Sequence, residues 1–317
     1  MTDGRKPESL RDAYGRTLVE LGAKDPRLVV LDADLSGSTR TVLFGQKFPD
    51  RFFNVGVMED TMMTIAAGFA LEGRTAFAST FAVFAAGQAY NFVRQSICYN
   101  RAPVKIVATH GGLLVGPDGG THQMVEDIGL MRGLPGMTVI VPADAPTTRA
   151  ATFAVAERPG PAYVRLTREN LPTVTDGTFT LGRAAELRAG TDLTIVAVGA
   201  LVARALEVAE ELGKVGVATR VLDFASVKPF DEPALLRAAR DTGAILVLEE
   251  HSVLTGVGAL VAATTSENYP VPVRRVGVPD VFGESGEAWA LLDRYGMSAE
   301  RIRDEAWELL ELRGKVQ

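Results

Sequence analysis

The sequence predicts an α/β protein of two doubly wound domains with mostly parallel sheets, the second smaller than the first. Three observations carry this expectation. Apolar runs of strand length recur along the chain, and most are separated by helical periodicity, the alternation that gives parallel strands covered on both faces. The glycine-rich and polar segments directly follow those runs, where the carboxyl ends of parallel strands place functional loops. Between Leu171 and Gly190 the texture changes to LPTVTDGTFTLGRAAELRAG, rich in turn signals, and a second α/β series follows. The expected division is therefore a first domain over residues 1–172, a linker over 173–190 with a small hairpin, and a second domain over 191–317.

Taken in order, residues 1 to 9 are polar and expected to be loose. A helical pattern (Leu10, Ala13, Tyr14, Leu18, Leu21) leads to a strand at Leu28 to Leu31 and then to the loop DADLSGST. Further strands are expected at Phe52 to Val57, Thr75 to Ser79, Val104 to Thr109, Thr138 to Val141 and Ala162 to Leu166. The second series places strands near Leu193 to Val198, Thr219 to Leu222, Ala244 to Leu248 and Val273 to Val276, and closes on a charged helix from Ala299 to Leu312. There is no internal repeat and no low-complexity run.

Composition narrows the function classes. The chain has 317 residues, 47% hydrophobic and 23% charged, with a formal net charge of −6, the profile of a soluble globular protein. No basic stripe argues for nucleic acid, and the mild acidity disfavours anionic membranes. Cys98 is the single cysteine, so neither an internal disulfide nor a thiolate metal cluster can form. Nothing in the charged first thirty residues resembles a secretory signal, so a cytoplasmic enzyme is expected.

The stretch around Glu59 organises the rest. An apolar run ends at Val57, a carboxylate follows, and Met62, Met63, Ala66, Phe69 and Ala70 recur at helical spacing, so Glu59 falls where a strand hands over to a buried helix. The helix N-terminus favours its charge and the apolar surround opposes it. Next comes AFASTFAVFAAGQAYNFV, without a charge between Arg74 and Arg94. Ser79, Thr80, Gln88 and Asn91 interrupt it, which argues against a membrane span and for burial in an interface or around an apolar ligand. Phe81 and Phe84 are spaced to present aromatic faces from the start of the following helix.

The segment THGGLLVGPDGGTHQ puts His110 and His122 at the ends of a glycine-rich loop with Asp118 between them. Glycines permit close backbone approach to a ligand, and imidazoles bind phosphate or move protons near neutral pH. The spacing matches no metal site. Arg11, Ser38, His110 and Arg168 are candidate phosphate ligands, Arg168 because it follows a strand and a guanidinium clamps an oxyanion bidentately. Neither a P-loop nor a dinucleotide fingerprint is present, because the glycine runs GGLLVGPDGG and TGVG lack the required strand–turn–helix spacing.

These residues carry a resemblance. DADLSGS (32–38), GVMED (56–60), STFAVF (79–84), ATHGGLLVGPDGGTHQ (108–123) and TRENLP (167–172) occur in the order found in the transketolase family. DFASVKPFD, LEEHSVLTGVG and DVFGESG are similar to that family's C-terminal signature. The whole chain resembles the C-terminal half of transketolase, which some organisms encode as a separate subunit. The resemblance implies a pyrimidine-binding domain for thiamine diphosphate followed by the transketolase C-terminal domain. It also implies transfer of a two-carbon ketol unit between sugar phosphates in the pentose phosphate pathway.

Carried over by position, the resemblance makes Glu59 the acid that hydrogen-bonds N1′ of the aminopyrimidine. It puts Phe84 on that ring with Phe81 beside it, and Asp34 close to the cofactor. His110 and His122 correspond to active-site histidines, Asp118 to a sugar-hydroxyl ligand, and Arg11, Ser38 and Arg168 to sugar-phosphate ligands. Gly87 stands where many transketolases have a tyrosine beside the pyrimidine. The family holds Mg²⁺ and the diphosphate through a GDG motif, and no GDG occurs here. The metal ligands and half of the cofactor pocket are thus expected on an N-terminal partner subunit. An isolated chain that is folded, dimeric and inactive is expected, with an α2β2 heterotetramer as the active form.

Three other readings compete with this one. A 1-deoxyxylulose-5-phosphate synthase-like enzyme shares the DGxTHQ pattern, whereas TRENLP favours transketolase; the β subunit of an oxo-acid dehydrogenase usually lacks that pattern. A non-catalytic assembly protein on the same fold is a reading of another class. Retention of Glu59, both loop histidines and Arg168 argues against it.

Overall fold

The computed structural model describes residues 6–316. Among these described residues fourteen strands form three sheets. They are β1 (Glu8–Ser9), β2 (Leu28–Asp32), β3 (Phe52–Asn54), β4 (Thr75–Phe81), β5 (Lys105–Thr109), β6 (Thr138–Ile140), β7 (Ala162–Arg165) and β8 (Asn170–Leu171) in the first part. They continue with β9 (Ala185–Arg188), β10 (Leu193–Ala197), β11 (Thr219–Asp223), β12 (Ser226–Lys228), β13 (Ile245–Ser252) and β14 (Val273–Val278).

The larger sheet has the order β12-β6-β7-β5-β4-β2-β3 and the smaller β14-β13-β10-β11-β9. All pairings within them are parallel except those of the edge strands β12 and β9. Period-two alternation explains the double winding. Val30, Phe77, Val107 and Val164 face one apolar cluster while Leu31, Ala78, Ile106 and Tyr163 face the other. In the smaller sheet Ile195 and Leu246 divide from Val196 and Val247 in the same way. Helices cover both faces, so the α/β expectation of two doubly wound, mostly parallel units holds.

Several local expectations need correction. The strand expected to run to Val57 stops at Asn54, because Gly56 takes φ +75 and Val57 turns out to solvent at 74% exposure. Residues 1–5 of the segment expected to be loose lie outside the described residues. Glu8 and Ser9, however, pair with Leu171 and Asn170 as β1–β8, and Ser9 caps the helix Leu10–Lys24 by accepting from the Asp12 N–H at 3.1 Å. No hairpin forms between 171 and 190; β8 pairs back to β1 and β9 joins β11. β4 extends to Phe81, which is therefore the last strand residue rather than part of the next helix. The closing helix runs on to Val316.

The TGVG segment also differs from expectation. A strand (β13) does turn into a helix there (Val257–Asn268), but the Glu249 carboxylate accepts the Val257 and Gly258 N–H groups at 2.6 and 2.8 Å. The helix N-terminus that a phosphate would occupy is filled by the chain's own side chain.

Both parts of the chain share polar and backbone contacts. β12, which belongs to the second series in sequence, pairs with β6 of the larger sheet, and Lys228 Nζ donates to the Arg132 and Leu134 carbonyls at 2.8 and 2.7 Å. The Ser252 N–H donates to the Val125 carbonyl at 2.7 Å. No helix among the described residues is long and apolar enough to cross a membrane.

Candidate functional site

The loops at the carboxyl ends of β2, β3, β4, β5 and β7 converge. Glu59 opens the helix Glu59–Leu71 and is 1% exposed. Its Oε1 accepts from Thr80 Oγ1 at 3.4 Å, and its Oε2 is buried without a partner. A buried carboxylate oxygen left unmet costs free energy unless a ligand supplies the donor. Thr80 precedes Phe81, whose ring stacks on Phe84 at 5.9 Å and 11°.

Phe81 also stacks on the His110 imidazole at 3.8 Å between ring centroids, and His122 meets Phe84 edge-on at 5.7 Å. Two histidines far apart along one loop thus close on one aromatic pair. His110 is buried, with φ +58, and its Nδ1 lies 2.8 Å from Thr109 Oγ1. Burial first, then the charges of Arg11 and Arg168 and the nearby His122, push its imidazole down to about 3. His110 is therefore neutral at physiological pH. His122 is half-buried and its Nδ1 lies 3.0 Å from Thr121 Oγ1.

The expected phosphate ligands come together. Arg11 Nη1 donates to the Ser38 carbonyl and Nη2 to the Arg168 carbonyl, both at 3.0 Å. The β1–β8 pairing produces this meeting, since it seats the first helix beside the segment that carries Arg168. Arg168 Nη1 donates to the Val115 carbonyl at 2.7 Å and to Asp118 Oδ1 at 3.2 Å. Asp118 and Arg168 are thus ion-paired, and both are partly exposed.

Asp34 is exposed, with φ +63; its Oδ1 accepts from Asn54 Nδ2 at 3.1 Å, while Asn54 Oδ1 accepts from the Asp34 and Gly56 N–H groups. The loop behind it is fixed by buried Asp32, which accepts from Leu35 N–H, Thr39 Oγ1 and Thr41 Oγ1 at 2.6–2.8 Å. Gly87 is exposed, with open space where a side chain would project.

Sequence reading missed the residues that support this cluster. Arg165 is almost fully buried and its Nε lies 3.0 Å from Asp127 Oδ2, while Nη2 donates to the Glu250 carbonyl at 2.9 Å. Tyr163 donates to Asp127 at 2.8 Å, and Glu250 Oε1 accepts the Leu114 N–H at 2.6 Å. Burial pushes the Glu250 carboxyl up to about 7 against the pull of Arg165. Gly112, at φ +83, has Glu250 Oε1 only 2.4 Å from where a Cβ would stand, so only glycine lets the loop sit on this carboxylate. The loop that carries His110 and Asp118 therefore rests on a group from β13. The LEEH motif was the available signal, two adjacent carboxylates in an otherwise apolar strand.

Comparison with known proteins agrees with this architecture. Residues 6–174 match the transketolase pyrimidine binding domain and residues 182–302 the transketolase C-terminal domain. The chain is 42% identical over 306 residues to a putative transketolase C-terminal section of Methanocaldococcus jannaschii, covering 95% of this chain and 96% of that one. It is 42% identical over 304 residues to a 6-deoxy-6-sulfo-D-fructose transketolase subunit of a Clostridium species, covering 95% and 94%. A solved split-gene transketolase, described as an inactive β4 tetramer, superposes with a TM-score of 0.91 at 50% identity over 96% of this chain and 99% of that one. The chain belongs to the transketolase family, whose pyrimidine-binding and C-terminal domains it carries in that order.

Proposed function

We propose that the chain is the C-terminal subunit of a split thiamine-diphosphate transketolase that moves a two-carbon ketol unit from a ketose phosphate to an aldose phosphate. The observation that carries this reading is Glu59, a buried carboxylate with an unpartnered oxygen beside an aromatic pair. These residues fit the aminopyrimidine of thiamine diphosphate: Glu59 for its ring nitrogen, Phe84 and Phe81 for its face, and Asp34 near the cofactor. When bound, the cofactor supplies the electron sink for breaking a carbon–carbon bond next to a carbonyl.

The chain's own residues do the rest. Glu59 holds or releases a proton at its Oε2, set against the pyrimidine nitrogen. Neutral His110 accepts from or donates to a sugar hydroxyl through Nε2, and the more accessible His122 serves a second hydroxyl. Asp118 orients a further hydroxyl, and Arg11, Ser38 and Arg168 hold the phosphate so that the reacting end is placed. Mg²⁺ and the diphosphate belong to an N-terminal partner subunit, in an α2β2 assembly. The exposed apolar side chains Val57, Met58, Ile65, Leu71 and Phe92 suit such association. We place the working division at residues 1–172 and 191–317 with a linker between.

Arg168→Ala tests the reading. In the reconstituted enzyme, losing this charge-assisted contact should lower kcat/KM for phosphorylated sugars by about 10- to 150-fold, equivalent to about 1.5–3 kcal/mol. An unphosphorylated analogue should change little. His110→Ala should differ, lowering kcat for both substrate classes, because a neutral imidazole stacked on Phe81 has no charge to offer a phosphate. Equal loss on both substrate classes in Arg168→Ala would remove the phosphate assignment.

A further inference from the structure

At the amino-terminal edge of the larger sheet, opposite the Glu59 cluster, lies a cavity of about 900 Å³. Pro103, Gly136 and Pro161 in its wall lie just before the starts of β5, β6 and β7. Arg94, Arg101 and Arg158 line it, and no aspartate or glutamate does. Among the described residues none of these three guanidinium groups has a carboxylate within 4.0 Å, and Arg158 Nε is buried without a partner.

A fourth cation lies behind the wall. Lys105 is 1% exposed, and its Nζ donates to the Arg158 and Gly160 carbonyls at 2.6 and 2.7 Å. Burial and the neighbouring Arg158 push its ammonium down to about 8. In a chain of net charge −6, four cations around one cavity with no carboxylate ion-paired to them among the described residues form a local positive potential that an oxyanion would relieve. The remaining wall is largely apolar, with prolines, Leu134 and Tyr99, which is 87% exposed.

We propose that this cavity binds a nucleoside di- or triphosphate, with the phosphates on Arg94, Arg101 and Arg158 and the base against Tyr99 and the prolines. Guanidinium forks suit phosphate oxygens, and an aromatic ring with an apolar floor suits a heterocycle. The site is separate from the sugar-phosphate cluster, which lies at the other end of the same strands.

The test is calorimetric titration of the purified full chain with ADP, alongside pyrophosphate and adenosine. ADP should bind saturably with one site per chain, more tightly than either fragment and more weakly as salt rises. Arg94→Ala/Arg101→Ala, which removes two exposed side chains and should leave the unfolding midpoint in place, should weaken ADP at least about tenfold, as expected for lost charge-assisted contacts. Arg168→Ala should leave ADP binding unchanged.

Absence of saturable binding, or binding indifferent to the double substitution, overturns the proposal. So does binding abolished by Arg168→Ala, which would place ADP on the sugar-phosphate cluster. If ADP fails to bind while the double variant weakens capture of the partner subunit, the surface is a protein contact and the nucleotide assignment falls.

Discussion

Glu59→Gln is expected to leave the chain folded and to lower turnover of the reconstituted, cofactor-saturated enzyme by about 10²- to 10⁴-fold, the range for loss of a positioned general acid–base group. The side chain is buried with one oxygen unmet, so glutamine fits the same space and keeps its packing contacts. The amide, however, is a poor proton relay. The effect should therefore fall on kcat, with the unfolding midpoint unchanged or raised. Near-normal turnover of a correctly folded variant would remove Glu59 from the mechanism, and with it the observation on which the functional reading stands.

Arg165→Met is expected to destabilise the chain by about 3–5 kcal/mol, the cost of stripping a buried charge from its partner. Asp127, fully buried, would lose its guanidinium, and the Glu250 carbonyl would lose its donor at 2.9 Å. Because Arg165 joins β7 to β13, the loss should also loosen the seat of the His110 loop. Denaturant unfolding of Arg165→Met, Asp127→Asn and the double variant measures it. The double variant should cost clearly less than the two single costs combined, since each removes the other's unpaired charge. Additive losses, or a single loss below about 1 kcal/mol, the range of exposed pairs, would contradict a buried coupled network.

Much of this was legible in sequence because the informative residues lie in local motifs. Apolar runs gave most strands, and the loops after them gave Glu59, His110, His122 and Arg168, which the structure gathers at one end of the larger sheet. Where reading failed, the competing cause is identifiable. Val55 and Val57 looked like strand residues, but Gly56 with positive φ ends the strand first. Glu8 and Ser9 looked loose because their pairing partner lies beyond residue 169.

The supporting network was harder to see. Arg165 meets Asp127 and Glu250 across 38 and 85 residues, and no local periodicity reports such contacts. Thr80 and Thr109, which touch Glu59 and His110, read as ordinary strand threonines until the fold places them.

The most direct measurement is a ketol-transfer assay on the purified chain, alone and mixed with an N-terminal partner subunit that carries the diphosphate-binding domain, each with thiamine diphosphate and Mg²⁺. The chain alone should give no transfer. The mixture should turn over and sediment as a larger assembly that the cofactor stabilises, since a ligand held at an interface favours the associated state. Full ketol transfer by this chain alone would contradict the split-enzyme account.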